Sequence, residues 1–191
     1  MIVDVSHVSD KTFYDTLAVT KKPVIASHSS CRALVDFPRN MDDKMLRALA
    51  ANGGVVGINF YAAYVNEEDA DGARKLIASN NSVGTDLAGP ALDAYAMKQR
   101  IDTGEANPLV GHASINDVVA CIEHAVKVAG IDHVGIGADF DGMPSVPRGL
   151  EDISKMPAVW KALQARGYSY SDIRKIMGGN FLRVIREVVG E

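Results

Sequence analysis

Apolar residues recur along this chain in two alternating rhythms. Short, nearly continuous apolar runs at Ile2–Ser6, Pro23–Ser27, Val55–Phe60 and His133–Ala138 read as strands buried on both faces. Between them lie segments with apolar positions at helical spacing. Ser9 or Asp10 is placed to cap a helix running to about Thr20, and Asp42 caps another that ends at Gly53, where glycine supplies the left-handed turn. A third helix is predicted from a Ser114 cap to Gly130, with Ile115, Val118, Val119, Ile122 and Val126 on one face. Beyond the fourth strand only helices are predicted, over Met156–Arg166, Ser171–Met177 and Asn180–Val189, the last presenting Phe181, Leu182, Ile185 and Val188 to a core. From Tyr61 to Gly111 the polar text, with weakly helical stretches near Glu68–Ile77 and Ala91–Ile101, reads as a long insertion. Four strand-helix units amount to half of an eight-stranded barrel. The predicted fold class is therefore α/β: one partial (β/α) barrel domain over 1–191, with an insertion at about 61–111.

Composition narrows the field. With 47% hydrophobic and 23% charged residues in 191, the chain has the make-up of a globular domain with one core. A net charge of -4, with Lys and Arg scattered, offers no basic field to a phosphate backbone, so nucleic acid is not an expected partner. Cys31 and Cys121 are too few for a disulfide framework and lack metal-site spacing, so they read as buried or idle thiols. Met1-Ile2-Val3-Asp4-Val5 has neither a basic n-region nor a long apolar stretch. No secretory signal or membrane segment is expected, and the provisional location is cytoplasmic.

Candidate chemistry sits where the predicted strands end. His7 follows the first, His28 the second and Asp139 the fourth, on the edge where parallel barrels place their active sites. They should converge on one pocket. A lone histidine is usually a satisfied structural residue, but three metal-hydrolase residue types at three equivalent positions are a pattern. Ser6, Ser27, Ser29 and Ser30 offer hydroxyls to orient the imidazoles. His112, His124 and His133, in a loop, within a helix and at a strand's start, read as structural. In Val134–Gly142 the glycines allow close backbone approach, and a carboxylate delivered by Asp139 can serve as general base or metal ligand, with Asp141-Gly142 as a turn. The Gly135-Ile136-Gly137 pair lacks the third glycine and immediate helix of a nucleotide loop.

These segments together resemble the membrane (renal) dipeptidase family of zinc peptidases. The likeness is carried by Asp4–Ser9, Ala26–Ser30, Arg39-Asn40, Asn59-Phe60-Tyr61 with Tyr64, Gly135–Gly142, Pro147–Asp152 and Gly179–Val184, in order and at fitting spacing. It implies the C-terminal half of a (β/α)8 TIM-like metal-dependent hydrolase barrel and a zinc-dependent dipeptidase acting on small dipeptides. His7 and His28 match histidines that bind one of two zinc ions, Asp139 the acid-base residue, Arg39 the arginine that holds the substrate's carboxylate, and Tyr64 a further substrate contact.

The likeness also implies ligands that this sequence lacks. No histidine is followed two residues on by aspartate, and no bridging glutamate is identified. The expectation is a partial site binding at most one zinc, in a chain that is a truncation, a fragment or one part of a split enzyme. Half a barrel leaves open strand edges, so association with a second copy or a complementing N-terminal half is expected. A catalytically inactive barrel fragment and another amidohydrolase-type metal hydrolase are the competing readings; metal content separates the first, and the direction of Arg39 the second.

Overall fold

The computed structural model describes residues 1–82 and 110–190. Each helix starts where the sequence supplies an acceptor for its first free amides. Helix α1 (Asp10–Val19) is capped by Ser9, whose hydroxyl accepts from Thr12, and it buries Phe13. Helix α2 (Asp43–Ala51) is capped by Asp42 and buries Met45, Leu46 and Leu49. It stops before Gly53, whose φ of +82° takes the chain round into β2. A short α3 (Ala62–Val65) leads into α4 (Glu67–Ser82), then β3 (Val110–Ser114) and α5 (Ile115–Ala129). Helix α5 opens with a capping box in which Ser114 and Asp117 satisfy each other's backbone amides.

Strands β1 (Ile25–Ser29), β2 (Val55–Ile58) and β4 (Val134–Ile136) form a parallel sheet in the order β1-β2-β4. Gly57 faces Gly135 in its register, and Val56 faces Val134. The sheet is drawn tight on one side. A Cβ on Gly57 would come 2.3 Å from the Ser27 carbonyl oxygen, and a Cβ on Gly137 would also collide with it, so only glycine lets β1 and the chain past β4 close over β2. Helices α2 and α5 pack against each other and this sheet, and the main apolar core, with Leu46, Leu49, Ile58 and Ile122, lies between them. A second parallel pair joins β3 to β5 (Val146–Arg148). Helices α6 (Met156–Ala165), α7 (Tyr170–Arg174) and α8 (Asn180–Val189) close the chain.

Strand β3, pairing with β5, stands where the sequence reading had the end of the insertion and a loop at His112. Four other differences from the sequence reading have physical causes. The run Ile2–Ser6 is not a strand but a single bridge, Asp4 to Ile25. The Asp4 side chain ends the ladder by accepting the amides of Ser6 and Ser27 at 3.0 Å each. Strand β5 stands where only helices were predicted, because Pro147 removes one ladder donor and masks the run, which is possible in a two-stranded pair. The stretch expected to be helical over Ser171–Met177 is split: α7 ends at Arg174 and a π turn, Lys175–Gly179, with Gly178 at φ +147°, redirects the chain into α8. That turn rotates α8 so that Val184 is buried while Leu182 and Ile185 are 52% and 43% exposed, rather than facing a core. Its rotation is held by Asn180, whose amide donates to the carbonyls of Ile131 and Val134 at 2.7 Å each. Phe181 seats on Gly135, where a Cβ would lie 2.5 Å from its ring. Of the two weakly helical stretches, the first lies within α4 and Ala91–Ile101 lies outside the described residues.

Candidate active site

The strand ends of the three-stranded sheet carry the chemistry. His28 is the fourth residue of β1, and His7 lies in the turn after the Asp4 bridge. Because Asp4 is tied to β1 through the Ser27 amide, the two histidines are brought side by side, with Nε2 atoms 2.7 Å apart. The bonds behind them assign the protons. The Ser27 hydroxyl donates to Asp4 Oδ2 at 2.5 Å, so its oxygen is left to accept from His28 Nδ1–H at 2.8 Å. His28 then keeps its Nε2 lone pair facing the cavity, the tautomer that a metal ligand needs. Ser6 adds a second hold, its hydroxyl accepting the His28 amide at 2.9 Å.

Charge follows the same geometry. Burial pushes the Asp4 carboxyl up, but the hydrogen bonds from Ser27 and Ser6 outweigh it and hold the group below its usual value. Partial burial, then the positive charge of Arg39 and the neighbouring His28, hold the His7 imidazole below its usual value against Asp139 and Asp4. Both shifts favour an anionic Asp4 and a neutral His7 at neutral pH.

Asp139 comes from the loop after β4, in the left-handed region at φ +62°. A non-glycine residue held there marks a backbone that its surroundings overdetermine. Two of those surroundings are visible. The buried Asn59, just after β2, donates from Nδ2 to Asp139 Oδ2 at 3.1 Å. Gly142 leaves the carboxylate its space, since a Cβ there would lie 2.4 Å from Asp139 Oδ1. Asp141-Gly142 forms the expected turn, closed by the Gly142 amide on the Asp139 carbonyl at 3.1 Å.

Arg39 projects from the loop between β1 and α2, where its Nη1 donates to the Ser6 carbonyl at 2.6 Å and its guanidinium carbon lies 5.9 Å from the centre of the Tyr64 ring. His7, His28, Arg39, Tyr64 and Asp139 all line one cavity of about 220 Å³, together with Tyr61, Gly142 and Met143. The five residues singled out in the sequence are thus brought to one place. Arg39 points toward the strand ends, not away from them. Asn59 carries no role in the sequence reading and Gly142 only that of a turn, although each sits inside a quoted segment; only the fold puts Asn59 beside a carboxylate eighty positions away.

The remaining candidates are structural. His124 bonds Asp43 at 2.7 Å between α5 and α2, and His133 bonds the Gly54 carbonyl at 2.8 Å. His112 sits on the exposed edge of β3. Cys31 and Cys121 are fully buried, and the Cys31 thiol donates to the Cys121 carbonyl. Hydrogen bonding to Cys121 and burial push that thiol well up, so it is inert. Two converging imidazole nitrogens are a donor set that fits zinc, yet among the described residues no group of three His, Cys, Asp or Glu side chains is arranged to hold a metal.

Comparison with known proteins places the chain in a family. The family model described as "Membrane dipeptidase (Peptidase family M19)" matches residues 1–190. An uncharacterized dipeptidase of Schizosaccharomyces pombe is 37% identical over 185 residues, covering 96% of this chain and 35% of the relative. Dipeptidase tcpJ of Claviceps purpurea is 37% identical over 98% of this chain and 35% of its own length. The chain therefore spans about a third of the length of these curated relatives. Among solved structures, the probable dipeptidase PvdM of Pseudomonas aeruginosa superposes with a TM-score of 0.77 at 34% identity, over 98% of this chain and 50% of that one. A metallo peptidase of Rhodobacter sphaeroides, liganded with a phosphinate mimic of the dipeptide L-Ala-D-Ala, gives a TM-score of 0.70 at 26% identity, over 96% and 41%.

Proposed function

Because the chain belongs to the membrane dipeptidase family and carries part of its TIM-like α/β barrel, we propose that it contributes half of the active site of a zinc-dependent dipeptidase. One observation carries the reading: a pair of imidazoles, a carboxylate and an arginine share one cavity. His7 and His28 are the residues that would hold zinc. Zinc bound there supplies a Lewis acid that polarises the scissile carbonyl and eases deprotonation of water. Two imidazoles fall short of the three protein ligands usual for catalytic zinc, so at most one ion per chain is expected from this set. Full turnover is proposed for the chain assembled with a complementing half or a second copy.

The protein's own groups divide the remaining work. Asp139, steadied by Asn59, takes a proton from the attacking water and returns it to the amine as the C–N bond breaks. Arg39 spends one N–H on the Ser6 carbonyl, which fixes its plane, and offers the rest of its fork to the dipeptide's terminal carboxylate, with Tyr64 beside it. The dipeptide mimic held by the Rhodobacter relative supports this substrate class.

The experiment is a comparison of a dipeptide with its C-terminal amide, using the assembled enzyme. Arg39→Ala is expected to lower kcat/KM for the dipeptide by roughly one to two orders of magnitude, since a charge-assisted bidentate contact is worth ~1.5–3 kcal/mol. The amide should lose little. Arg39→Lys should recover only part, lacking the planar fork. Parent-rate cleavage of dipeptides by Arg39→Ala would end the substrate assignment.

A further inference from the structure

The two proposed substrate contacts come from different parts of the chain, Arg39 from the loop after β1 and Tyr64 from α3, and one buried side chain joins them. Asn40 is 1% exposed, and its Nδ2 donates to the carbonyl of Val35 and to that of Tyr64, at 2.9 Å each. Its backbone is fixed as well, the amide donating to the Phe37 carbonyl and the carbonyl accepting from Arg32 Nε, both at 2.9 Å. The Ser29 hydroxyl holds the preceding carbonyl, that of Arg39, at 2.9 Å. Of the polar atoms of Asn40, Oδ1 alone has no partner among the described residues. An unpaired buried acceptor is a cost, and an aliphatic side chain of similar size would avoid it. The amide is of use here for its two hydrogens alone, which are what tie the Arg39 loop to the Tyr64 backbone.

Resting on the dipeptidase reading, we propose that Asn40 is a positioning residue that sets the distance between Arg39 and Tyr64, and with it the preference for substrates bearing a free terminal carboxylate. Asn40 touches no substrate itself. Asn180 provides an internal control, because it makes the same two-carbonyl staple at 2.7 Å away from the cavity lining, between α8 and the start of β4. A merely structural role predicts that loss of either staple costs stability alone. A positioning role predicts that Asn40 also changes selectivity.

The test measures binding of alanylalanine and alanylalanine amide to the full chain by calorimetry, alongside zinc affinity and the thermal midpoint. Asn40→Ser, which keeps one donor, is expected to weaken the free dipeptide on the order of tenfold, since small misplacements at a reacting site are amplified. The amide and the zinc affinity should stay near parent values, and Asn40→Gln, which restores both hydrogens on a longer arm, should recover part of the loss. Asn180→Ser should lower the midpoint and leave the dipeptide-to-amide ratio unchanged. An unchanged ratio in Asn40→Ser, while Arg39→Ala abolishes it, overturns the role of Asn40 and spares the dipeptidase reading. A ratio unchanged in Arg39→Ala overturns that reading and this inference with it. Should Asn40→Ser fail to fold, Asn40→Gln against Asn180→Gln decides: a ratio that falls in the first alone supports positioning, and one that moves equally in both, or in neither, overturns it.

Discussion

The two walls of the cavity are built by different means. On the histidine wall, besides the backbone amides held by Asp4 and Ser6, a chain of side-chain bonds runs from Asp4 through Ser27 to His28, and what it fixes is which nitrogen carries a proton. On the arginine wall the bonds run from side chains to backbone carbonyls, from Asn40 to Tyr64 and from Arg39 to Ser6, and what they fix is position. The contrast matches the proposed tasks. A metal ligand needs a bare lone pair, so its neighbours must control hydrogens. A carboxylate clamp is always protonated and needs only to be held at the right spacing, which rigid carbonyls supply.

The largest effect should come from the histidine wall itself. His28→Ala removes one of two imidazoles, and zinc retention should fall by more than the roughly 10–100-fold that loss of a supporting partner costs. Elemental analysis after dialysis checks this; retention at the parent level would remove His28 from the metal site. Two tightly held zinc ions on the parent chain would equally contradict the two-imidazole donor set.

Ser27→Ala sharpens the comparison, because it leaves the ligand in place and takes away the hydroxyl that accepts its Nδ1–H and donates to Asp4. Zinc affinity should drop within that 10–100-fold range, while the dipeptide-to-amide binding ratio that Arg39 governs should not change. If Ser27→Ala altered that ratio as strongly as Arg39→Ala, the two walls would not be separable.

The smallest effect is on stability in acid. Asp4 has its carboxyl held below the usual value in the folded chain, so its contribution is fully present above the unfolded value of about 4 and is lost as pH falls through the folded one. Since Asp4 keeps one side to solvent, the contribution is modest. Urea midpoints should decline more steeply below about pH 4 for the parent than for Asp4→Asn. Parallel declines would show that the Asp4 bonds do not persist in solution.

Much of this was legible in the sequence because local chemistry carried it. The caps Ser9, Asp42 and Ser114, the turn at Gly53 and the apolar runs of β2 and β4 follow from side-chain acceptors, glycine's φ and continuous apolarity, which need no distant partner. The order of the segments around His7, His28, Arg39 and Asp139 was equally open to reading, since it is a property of the chain itself. Other features were decided only by contacts between remote segments. Ile2–Ser6 has the composition of a strand, but Asp4 spends its carboxylate on the Ser27 and Ser6 amides and the ladder stops at one bridge. Helix α8 has apolar residues over more of its circumference than it buries, and Asn180 together with the gap at Gly135 selects Phe181 and Val184 over Leu182 and Ile185. Asn59 and Asn40 are ordinary polar letters until folding sets one against Asp139 and the other across Val35 and Tyr64. An amide has no sequence signature for its partner, because a hydrogen bond is specified by distance and direction, and those exist only once the chain is folded.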